Sequence, residues 1–314
     1  MITANGLTKR YGNTVAVDEL SFTVQPGIVT GFLGPNGAGK TTSMRLILGL
    51  DSASNGTVTV NGQSYRDKKA PMQEIGALID PSAVHGGRSA HAHLLWQAQA
   101  GGLARRRVDE ALDMVGLTEV AGKKVGGFSL GMRQRLGIAS AMLGDPPVLL
   151  FDEPVNGLDP EGILWIRALM QQFAEEGRTV FVSSHLMSEM EQTADHVLVI
   201  GRGRLIADVS VAEMTQGSAQ SHVKVVSPRA DELIAHLEAN GALVTNGTEN
   251  ELTVTGLDAP AIGEIAFAHG IPLNELSTQR ASLEAAFMEM THDSVEYRAT
   301  NGLAAHIVDG NASA

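Results

Sequence analysis

The 314-residue sequence contains no cysteine and few basic residues. Without cysteine, the chain forms neither disulfides nor thiolate metal sites, a composition that fits a reducing compartment. Only 23 Lys and Arg residues stand against 35 Asp and Glu residues, which gives a formal net charge of −12. Because proteins that bind nucleic acid broadly use clustered Lys and Arg to displace its counterions, we expect no nucleic-acid partner.

Long apolar runs are also absent. No stretch approaches the ~18 apolar residues of a membrane-spanning helix. The opening residues MITANGLTKRYG lack the charged-then-apolar layout of a signal peptide. We therefore expect a protein that is soluble by itself, so that any role at a membrane requires a partner. The length allows one large core and a smaller second domain.

A glycine-rich loop follows the first apolar segment of the chain. It reads Gly34-Pro35-Asn36-Gly37-Ala38-Gly39-Lys40-Thr41 and matches the phosphate-binding pattern GxxxxGK[ST]. Glycines allow backbone conformations in which successive N–H groups converge on a phosphate, and the helix after the loop points its positive end at the same anion. Lys40 is placed to reach the β- and γ-phosphates, and the Thr41 hydroxyl to ligate Mg²⁺. We predict a nucleotide site made of this loop and Thr42.

Two adjacent carboxylates, Asp152 and Glu153, follow the apolar run Val148-Leu149-Leu150-Phe151. Such a run is typical of a central parallel strand that is buried on both faces. Ligands of open α/β sheets lie beyond the carboxyl ends of the strands, so both acids should face the crevice of the glycine loop. We predict that Asp152 holds Mg²⁺ through water and that Glu153 polarises the attacking water. The alternative is that the two acids only cap the next turn.

His185 ends the next predicted strand, which covers residues 179–182 and runs into Ser183-Ser184. A lone histidine is more often structural, but at this strand end its imidazole could reach the γ-phosphate and the attacking water.

Tyr11 lies between the first two predicted strands. It is either a half-buried aromatic at a strand end or a ring that stacks on the nucleotide base.

The other segments predict the domain organisation. Residues 82–145 show helical periodicity without strand signals, which indicates a helical insertion, and TVTVNG before it predicts a β-hairpin. Residues 221–278 alternate in the order βαββαβ, which predicts a ferredoxin-like domain closed by an amphipathic helix. We interpret this segment as an accessory domain that serves dimerisation or regulation. The predicted boundaries are 1–217 for the first domain, 218–291 for the second and 292–314 for a flexible tail.

The segment Phe128-Ser129-Leu130-Gly131-Met132 lies between the glycine loop and the two acids. With these motifs in this order, residues 2–215 resemble the ATP-binding subunits of ABC transporters. The segment is similar to the signature of that family, usually LSGGQ, in which Ser129 and Gly131 match. The resemblance implies that Ser129 and Gly131 cap the ATP of a second subunit, in a homodimer with ATP sandwiched between the subunits.

The resemblance also implies a role for each remaining motif. By this resemblance Tyr11 stacks on adenine, residues 34–41 form the Walker A loop and residues 151–153 end the Walker B motif. Residues 156–159 form the D-loop, which places Asp159 at the dimer seam, and His185 is the switch histidine. The implied catalytic residues are Lys40, Glu153 and His185, with ATP and Mg²⁺ as cofactors. Asp80 stands where the family usually has a glutamine that reaches the metal, and we expect it to contact Mg²⁺ through a bridging water.

The fold class that the resemblance implies is α/β: a P-loop NTPase core with an antiparallel β subdomain and the helical insertion, plus a small α+β C-terminal domain. The implied function is ATP hydrolysis that powers a separately encoded integral membrane permease from the cytoplasmic face of the membrane. Asp80 and the Leu-Gly-Met signature resemble the branch that serves drug and antibiotic exporters; lipids are a further candidate cargo. Two alternatives are a soluble ABC ATPase that acts on nucleic acid or the ribosome, and a P-loop kinase, which would lack the signature.

Overall fold

The computed structural model describes residues 1–216, 221–247, 250–279 and 281–291. The predicted tail and the predicted boundary after residue 217 lie outside the described residues. The strands are β1 (Ile2–Tyr11), β2 (Thr14–Val24), β3 (Val29–Leu33), β4 (Asn55–Val60), β5 (Gly76–Leu78), β6 (Val148–Asp152), β7 (Thr179–Ser184), β8 (His196–Gly201), β9 (Arg204–Ser210), β10 (His222–Val226), β11 (Leu243–Asn246), β12 (Glu251–Thr255) and β13 (Glu275–Gln279). The α-helices are α1 (Lys40–Ile47), α2 (Pro71–Glu74), α3 (Ala90–Ala100), α4 (Arg106–Met114), α5 (Leu130–Met142), α6 (Pro160–Glu175), α7 (Met187–Thr193), α8 (Val211–Gln216), α9 (Ala230–Ala239), α10 (Ala259–Ala268) and α11 (Leu283–Thr291).

The central sheet has six strands in the order β5-β6-β7-β3-β8-β9, all parallel except β9. Every residue of β3, β6 and β7 is buried, as their continuous apolar sequences predict. Asp152 pairs with Ser183 across β6 and β7, and Leu33 pairs with Ser184 across β3 and β7. This register brings the glycine loop, the two acids and the segment before His185 to one edge of the sheet.

A three-stranded antiparallel sheet in the order β2-β1-β4 packs beside this core. The hairpin predicted at residues 57–62 is confirmed only at its turn. Asn61 and Gly62 have positive φ, and an antiparallel bridge between Val60 and Gln63 closes the turn. No return strand follows this bridge among the described residues, and β4 pairs along its length with β1 instead. Pairing with β1 buries Val60 completely within the apolar cluster of this sheet. Of the residues of β4 only Val60 is buried, so it is the backbone ladder with β1, and not burial along the strand, that makes β1 the main partner of β4.

The helical insertion is formed by α3, α4 and α5. Leu94, Leu112 and Leu136 from the three helices are buried in one apolar cluster with Leu149 and Phe151 of the central sheet. The insertion therefore shares its core with β6, the strand that carries Asp152. This continuity fixes α5, and with it the signature segment, relative to the two acids.

The C-terminal sheet is antiparallel and has the order β11-β12-β10-β13, the ferredoxin-like arrangement predicted from the order βαββαβ. Its own apolar cluster includes Val225 and Val254 from the sheet and Leu233 and Ile262 from α9 and α10. The last helix, α11, does not close this cluster. It packs instead against α7 and α8 of the first part of the chain.

The predicted fold class is confirmed: an α/β core with an antiparallel subdomain, a helical insertion and a small α+β unit toward the C-terminus. Among the helices of the described ranges, none is long and apolar enough to cross a membrane.

Candidate functional site

The glycine loop connects the buried strand β3 to α1. Gly39 has a φ of +106°, and a Cβ there would lie 2.5 Å from the carbonyl oxygen of Ala16. A Cβ at Gly34 would lie equally close, 2.5 Å, to the carbonyl oxygen of Ile200. Gly37 also adopts a left-handed conformation, with a φ of +82°, but faces open space. The loop therefore favours glycine at Gly34 for lack of space, at Gly37 for backbone conformation and at Gly39 for both reasons.

Lys40 begins α1 and turns back over the loop. Its Nζ donates hydrogen bonds to the carbonyl oxygens of Gly34, at 2.6 Å, and Pro35, at 3.3 Å. The residue is only 7% exposed. Burial lowers the pKa of the Lys40 amine, and the nearby carboxylates of Glu153 and Asp152 act against this shift. Lys40 thus holds a buried cation at the loop that is predicted to bind phosphate.

Asp152 is held by two hydroxyl groups at the end of β6. Thr41 Oγ1 donates to Asp152 Oδ2 at 2.7 Å, and Ser183 Oγ donates to Asp152 Oδ1. Asp152 is 7% exposed, so these hydrogen bonds compensate for most of its lost hydration. A hydroxyl and a carboxylate on adjacent elements are the hard oxygen ligands that suit Mg²⁺. The Thr41–Asp152 pair therefore fits the predicted metal. Thr42, the next residue of α1, is half-buried.

Glu153 has an unusual backbone conformation immediately after β6. Its φ of +51° is left-handed, which costs of order 1 kcal/mol for a non-glycine residue. Its N–H donates to Ser183 Oγ at 3.0 Å, and its carbonyl oxygen accepts from Gln134 Nε2 at 3.2 Å. These contacts hold the strained turn and direct the carboxylate toward His185, whose Nδ1 lies 2.7 Å from Glu153 Oε2.

Ser183 and Gln134 are the site residues that the sequence analysis missed. Ser183 is fully buried and contacts both acids, since its Oγ donates to Asp152 and accepts from Glu153. The sequence feature that could have indicated Ser183 is a polar residue at the end of an otherwise apolar strand. Gln134 is 1% exposed, and its Oε1 has no hydrogen-bond partner among the described residues. No local pattern in α5 indicates that Gln134 reaches Glu153.

Glu153 and Asp152 open onto a small cavity of about 190 Å³. Gln134 and Leu130 from α5 line one side, and residues of the Asp80 loop line another. Asp80 itself is exposed, and its Oδ1 accepts from the N–H and the hydroxyl of Ser82 at 2.8 and 2.6 Å. These hydrogen bonds lower the pKa of Asp80 and keep its carboxylate in its own turn. Among the described residues, no hydrogen bond joins Asp80 to Thr41 or Asp152.

Tyr11 lies at the end of β1, outside this hydrogen-bonded group. The residue is 48% exposed, and its hydroxyl donates to Asp51 Oδ2 at 2.9 Å. The amine of Lys9 lies 4.7 Å from the ring centroid. The ring is thus a fixed, exposed aromatic surface with a cation beside it.

The signature segment forms the start of α5 on the surface. Ser129 is exposed and caps the helix, with its Oγ accepting from the N–H of Met132 at 3.2 Å. A Cβ on Gly131 would lie 3.0 Å from the carbonyl oxygen of Gly157, so the signature and the predicted D-loop pack closely. Asp159 is likewise exposed and caps α6 through the N–H of Gly162 at 2.9 Å. In the part of the chain that the structure describes, no hydrogen bond connects these groups to the glycine loop.

Comparison with known proteins extends these observations. A family model described as ABC transporter matches residues 17–156, and a model for a domain of unknown function matches residues 221–284. An uncharacterized ABC transporter ATP-binding protein of Bacillus subtilis, YhcH, is 37% identical over 293 residues, which cover 92% of this chain and 95% of that protein. The bacitracin transport ATP-binding protein BcrA of Bacillus licheniformis is 42% identical over 212 residues, covering 67% of this chain and 69% of that protein.

Solved structures agree with these matches. The structure of an ATP binding subunit of an ABC transporter superposes with a TM-score of 0.63 at 26% identity. The match covers 69% of this chain and 92% of that chain. The alignment with YhcH is longer and takes in most of both chains, so it extends beyond the nucleotide site.

Proposed function

Because the chain belongs to the ABC transporter ATP-binding family, we propose that it hydrolyses ATP to export an antibiotic, another drug or a lipid through a separately encoded membrane permease. One observation carries the proposal: Asp152, Ser183, Glu153 and His185 are connected by hydrogen bonds at the ends of β6 and β7. The similarity to BcrA, named for bacitracin transport, supports export of an antibiotic. The rival, a soluble ATPase that acts on nucleic acid or the ribosome, is disfavoured by the net charge of −12.

Thr41 and Asp152 would hold Mg²⁺ beside the ATP phosphates, with Asp80 joining through a water. When bound, the ion neutralises charge on the phosphate oxygens. Lys40 exchanges its carbonyl acceptors in the loop for oxygens of the β- and γ-phosphates, which are stronger acceptors because they are charged. The backbone N–H groups of residues 34–41, except Pro35, which has none, complete the phosphate contacts together with Thr42.

Glu153 polarises the attacking water, and His185 orients the Glu153 carboxylate. An ionised carboxylate has no proton to donate, so Nδ1 of His185 carries the hydrogen in their 2.7 Å contact. Ser183 and Gln134 hold the backbone of Glu153 on either side. The general base is therefore fixed before ATP arrives, which reduces the reorganisation that catalysis requires.

The active unit is a homodimer in which each ATP lies between two subunits. Ser129 and Gly131 act on the ATP of the neighbouring subunit, and Asp159 lies at the seam. The support is that Ser129 and Asp159 are exposed and Gly131 is half-buried, and that no hydrogen bond among the described residues joins them to the glycine loop of their own subunit. Tyr11 stacks on adenine through its exposed ring.

The chain divides into an ATPase domain, residues 1–217, and an accessory domain, residues 218–291. The separate apolar cluster of the C-terminal sheet supports this division. The protein acts peripherally at the cytoplasmic face of the cell membrane, where the permease holds it. No nucleic acid takes part.

Affinity purification from detergent-solubilised membranes of the native host tests this function. Tagged protein should capture an integral membrane protein with several spans, and that partner should raise the ATPase rate. The Lys40→Ala variant is the matched control, because it should capture the same partner without stimulated hydrolysis. Capture of only soluble proteins or ribosomes would contradict the transport function and leave the nucleotide chemistry in place.

A further inference from the structure

The last described helix, α11, belongs to the core of the nucleotide site rather than to the C-terminal sheet. Leu283, Ala286 and Phe287 are 0%, 1% and 6% exposed. They lie in the same apolar cluster as Met187 and Met190, the buried methionines of α7. A helix that follows the C-terminal domain therefore completes the packing around α7.

This packing matters because α7 begins two residues after His185. The helix has only seven residues, and its N-cap, Leu186, provides no side-chain hydrogen bond. A helix this short is not stable by itself in water, so tertiary contacts must hold it in place. Whatever fixes α7 also fixes the position from which His185 reaches Glu153.

Two sets of polar contacts attach α7 to neighbouring helices, one to α6 and one to α11. On one side, Arg167 of α6 pairs with Glu189 at 2.7 Å and donates to Gln192 Oε1 at 2.7 Å. On the other, the N–H of Leu283, the first residue of α11, donates to Glu191 Oε2 at 3.1 Å. The carboxylate of Glu191 also lies at the positive end of the α11 dipole, which strengthens the attachment.

The C-terminal domain is attached to the ATPase core at both of its described ends. Ser221, just before β10, donates through its Oγ to the carbonyl oxygen of Thr215 in α8 at 2.7 Å. The same oxygen accepts from the N–H of Ala281, just before α11, at 3.1 Å. A single side chain therefore joins α8, the entry to the domain and its exit. The exit of the domain leads directly into α11, which packs on α7.

We propose that α11 is a positioning element for His185, with Phe287 and Glu191 as positioning residues that couple the C-terminal domain to ATP hydrolysis. The inference rests on the proposed role of His185. Loss of the α11 contacts frees α7, and the imidazole then spends less time against Glu153. We expect phosphate binding to stay unchanged, because α11 packs on α7 and α8 whereas the glycine loop connects β3 to α1. The effect therefore falls on kcat and spares the KM for ATP.

The test compares Phe287→Ala with Phe267→Ala in the full-length protein, each with and without His185→Ala. Phe267 is the matched control because it lies on α10 and is 88% exposed. We expect Phe287→Ala to lower kcat by about tenfold, as modest misplacement of a catalytic group does. Phe267→Ala should leave kcat unchanged. In the His185→Ala background, measured by single turnover with enzyme in excess, Phe287→Ala should have no further effect.

An equal fall of kcat in both backgrounds, or no fall in either, would overturn the proposal, because α11 would then act independently of His185 or not at all. A second pair of variants covers the outcome in which Phe287→Ala fails to fold. Glu191 is exposed, so Glu191→Ala should fold, lower kcat and speed hydrogen exchange of residues 187–193. Glu191→Gln keeps an acceptor and should restore both. Identical kcat and exchange in the two Glu191 variants would refute the coupling.

The same measurements separate this inference from the proposed function. If His185→Ala hydrolyses ATP as fast as the unmodified protein, the role of His185 fails, and the inference fails with it. If His185→Ala is slow while Phe287→Ala and Glu191→Ala match the unmodified protein, only the inference fails.

Discussion

Ser183→Ala is the substitution that most directly probes the polar network at the site. The change removes the hydroxyl that donates to Asp152 Oδ1 and that accepts from the N–H of Glu153. Glu153 keeps a second acceptor, because its N–H also lies 3.2 Å from the carbonyl oxygen of Ser183. The main loss is therefore at Asp152, whose Oδ1 remains buried and ionised without the hydroxyl.

The size of the effect follows from the kind of hydrogen bond. A hydrogen bond to a charged group contributes about 1.5–3 kcal/mol to the free energy of unfolding. For a domain of this size each kcal/mol shifts Tm by about 2–4 °C, so Tm should fall by about 3–12 °C. The freed carboxylate can also rotate away from Thr41, its partner at 2.7 Å. We therefore expect Ser183→Ala to require more Mg²⁺ for half-maximal ATPase activity.

Differential scanning calorimetry and Mg²⁺ titrations of the ATPase rate measure the two effects. Ser184→Ala is the matched control, because Ser184 is equally buried on the same strand, but the hydrogen bonds of its hydroxyl to described residues go to the backbone of Leu186 and not to either acid. It should lower Tm without changing the Mg²⁺ requirement. If Ser183→Ala and Ser184→Ala gave the same Mg²⁺ dependence, Ser183 would have no part in holding Asp152 for the metal.

Two further substitutions test the glycine loop. Lys40→Ala should reduce ATP turnover by at least about 10²-fold, because it removes the cation that faces the transferred phosphoryl group; activity near that of the unmodified protein would exclude this loop as the active site. Gly34→Ala should unfold the protein at a lower temperature than Gly37→Ala, since a Cβ at Gly34 meets the Ile200 carbonyl at 2.5 Å while the Cβ at Gly37 meets nothing within 4 Å. Equal Tm values for these two alanine variants, read by thermal unfolding, would show that the contact with Ile200 does not constrain the loop.

The sequence was sufficient to predict that the two acids and His185 lie at one edge of the sheet, because each stands at the end of an apolar strand. Asp152 is the last residue of β6, and His185 follows β7. Parallel pairing of these strands places such residues at one edge of the sheet whatever the details of packing. The βαββαβ order predicted the C-terminal sheet for a similar reason: few arrangements of these elements bury one face of each strand.

What the sequence did not predict depends on contacts between distant elements. Ser183 reaches both acids only because β6 and β7 pair with Asp152 opposite Ser183. Gln134 reaches Glu153 only because α5 shares its core with β6. The packing of α11 on α7 has the same origin, since an amphipathic helix carries no information about which apolar surface it covers. The signal at Asn61-Gly62 predicted the turn that forms there, but not that β4 would find its long partner in β1 rather than in the residues after the turn.

The most direct test of the central claim is the mass of the Glu153→Gln variant in solution, measured by light scattering on a sizing column with and without Mg²⁺ and ATP. The account predicts a monomer without nucleotide and a stable dimer with it, because the variant binds ATP between two subunits and does not hydrolyse it. Adding Ser129→Arg to the same chain should abolish the dimer and leave ATP bound to the glycine loop. An ATP-bound Glu153→Gln monomer, or a dimer that tolerates Ser129→Arg, would contradict a site shared between Lys40 of one subunit and Ser129 of the other.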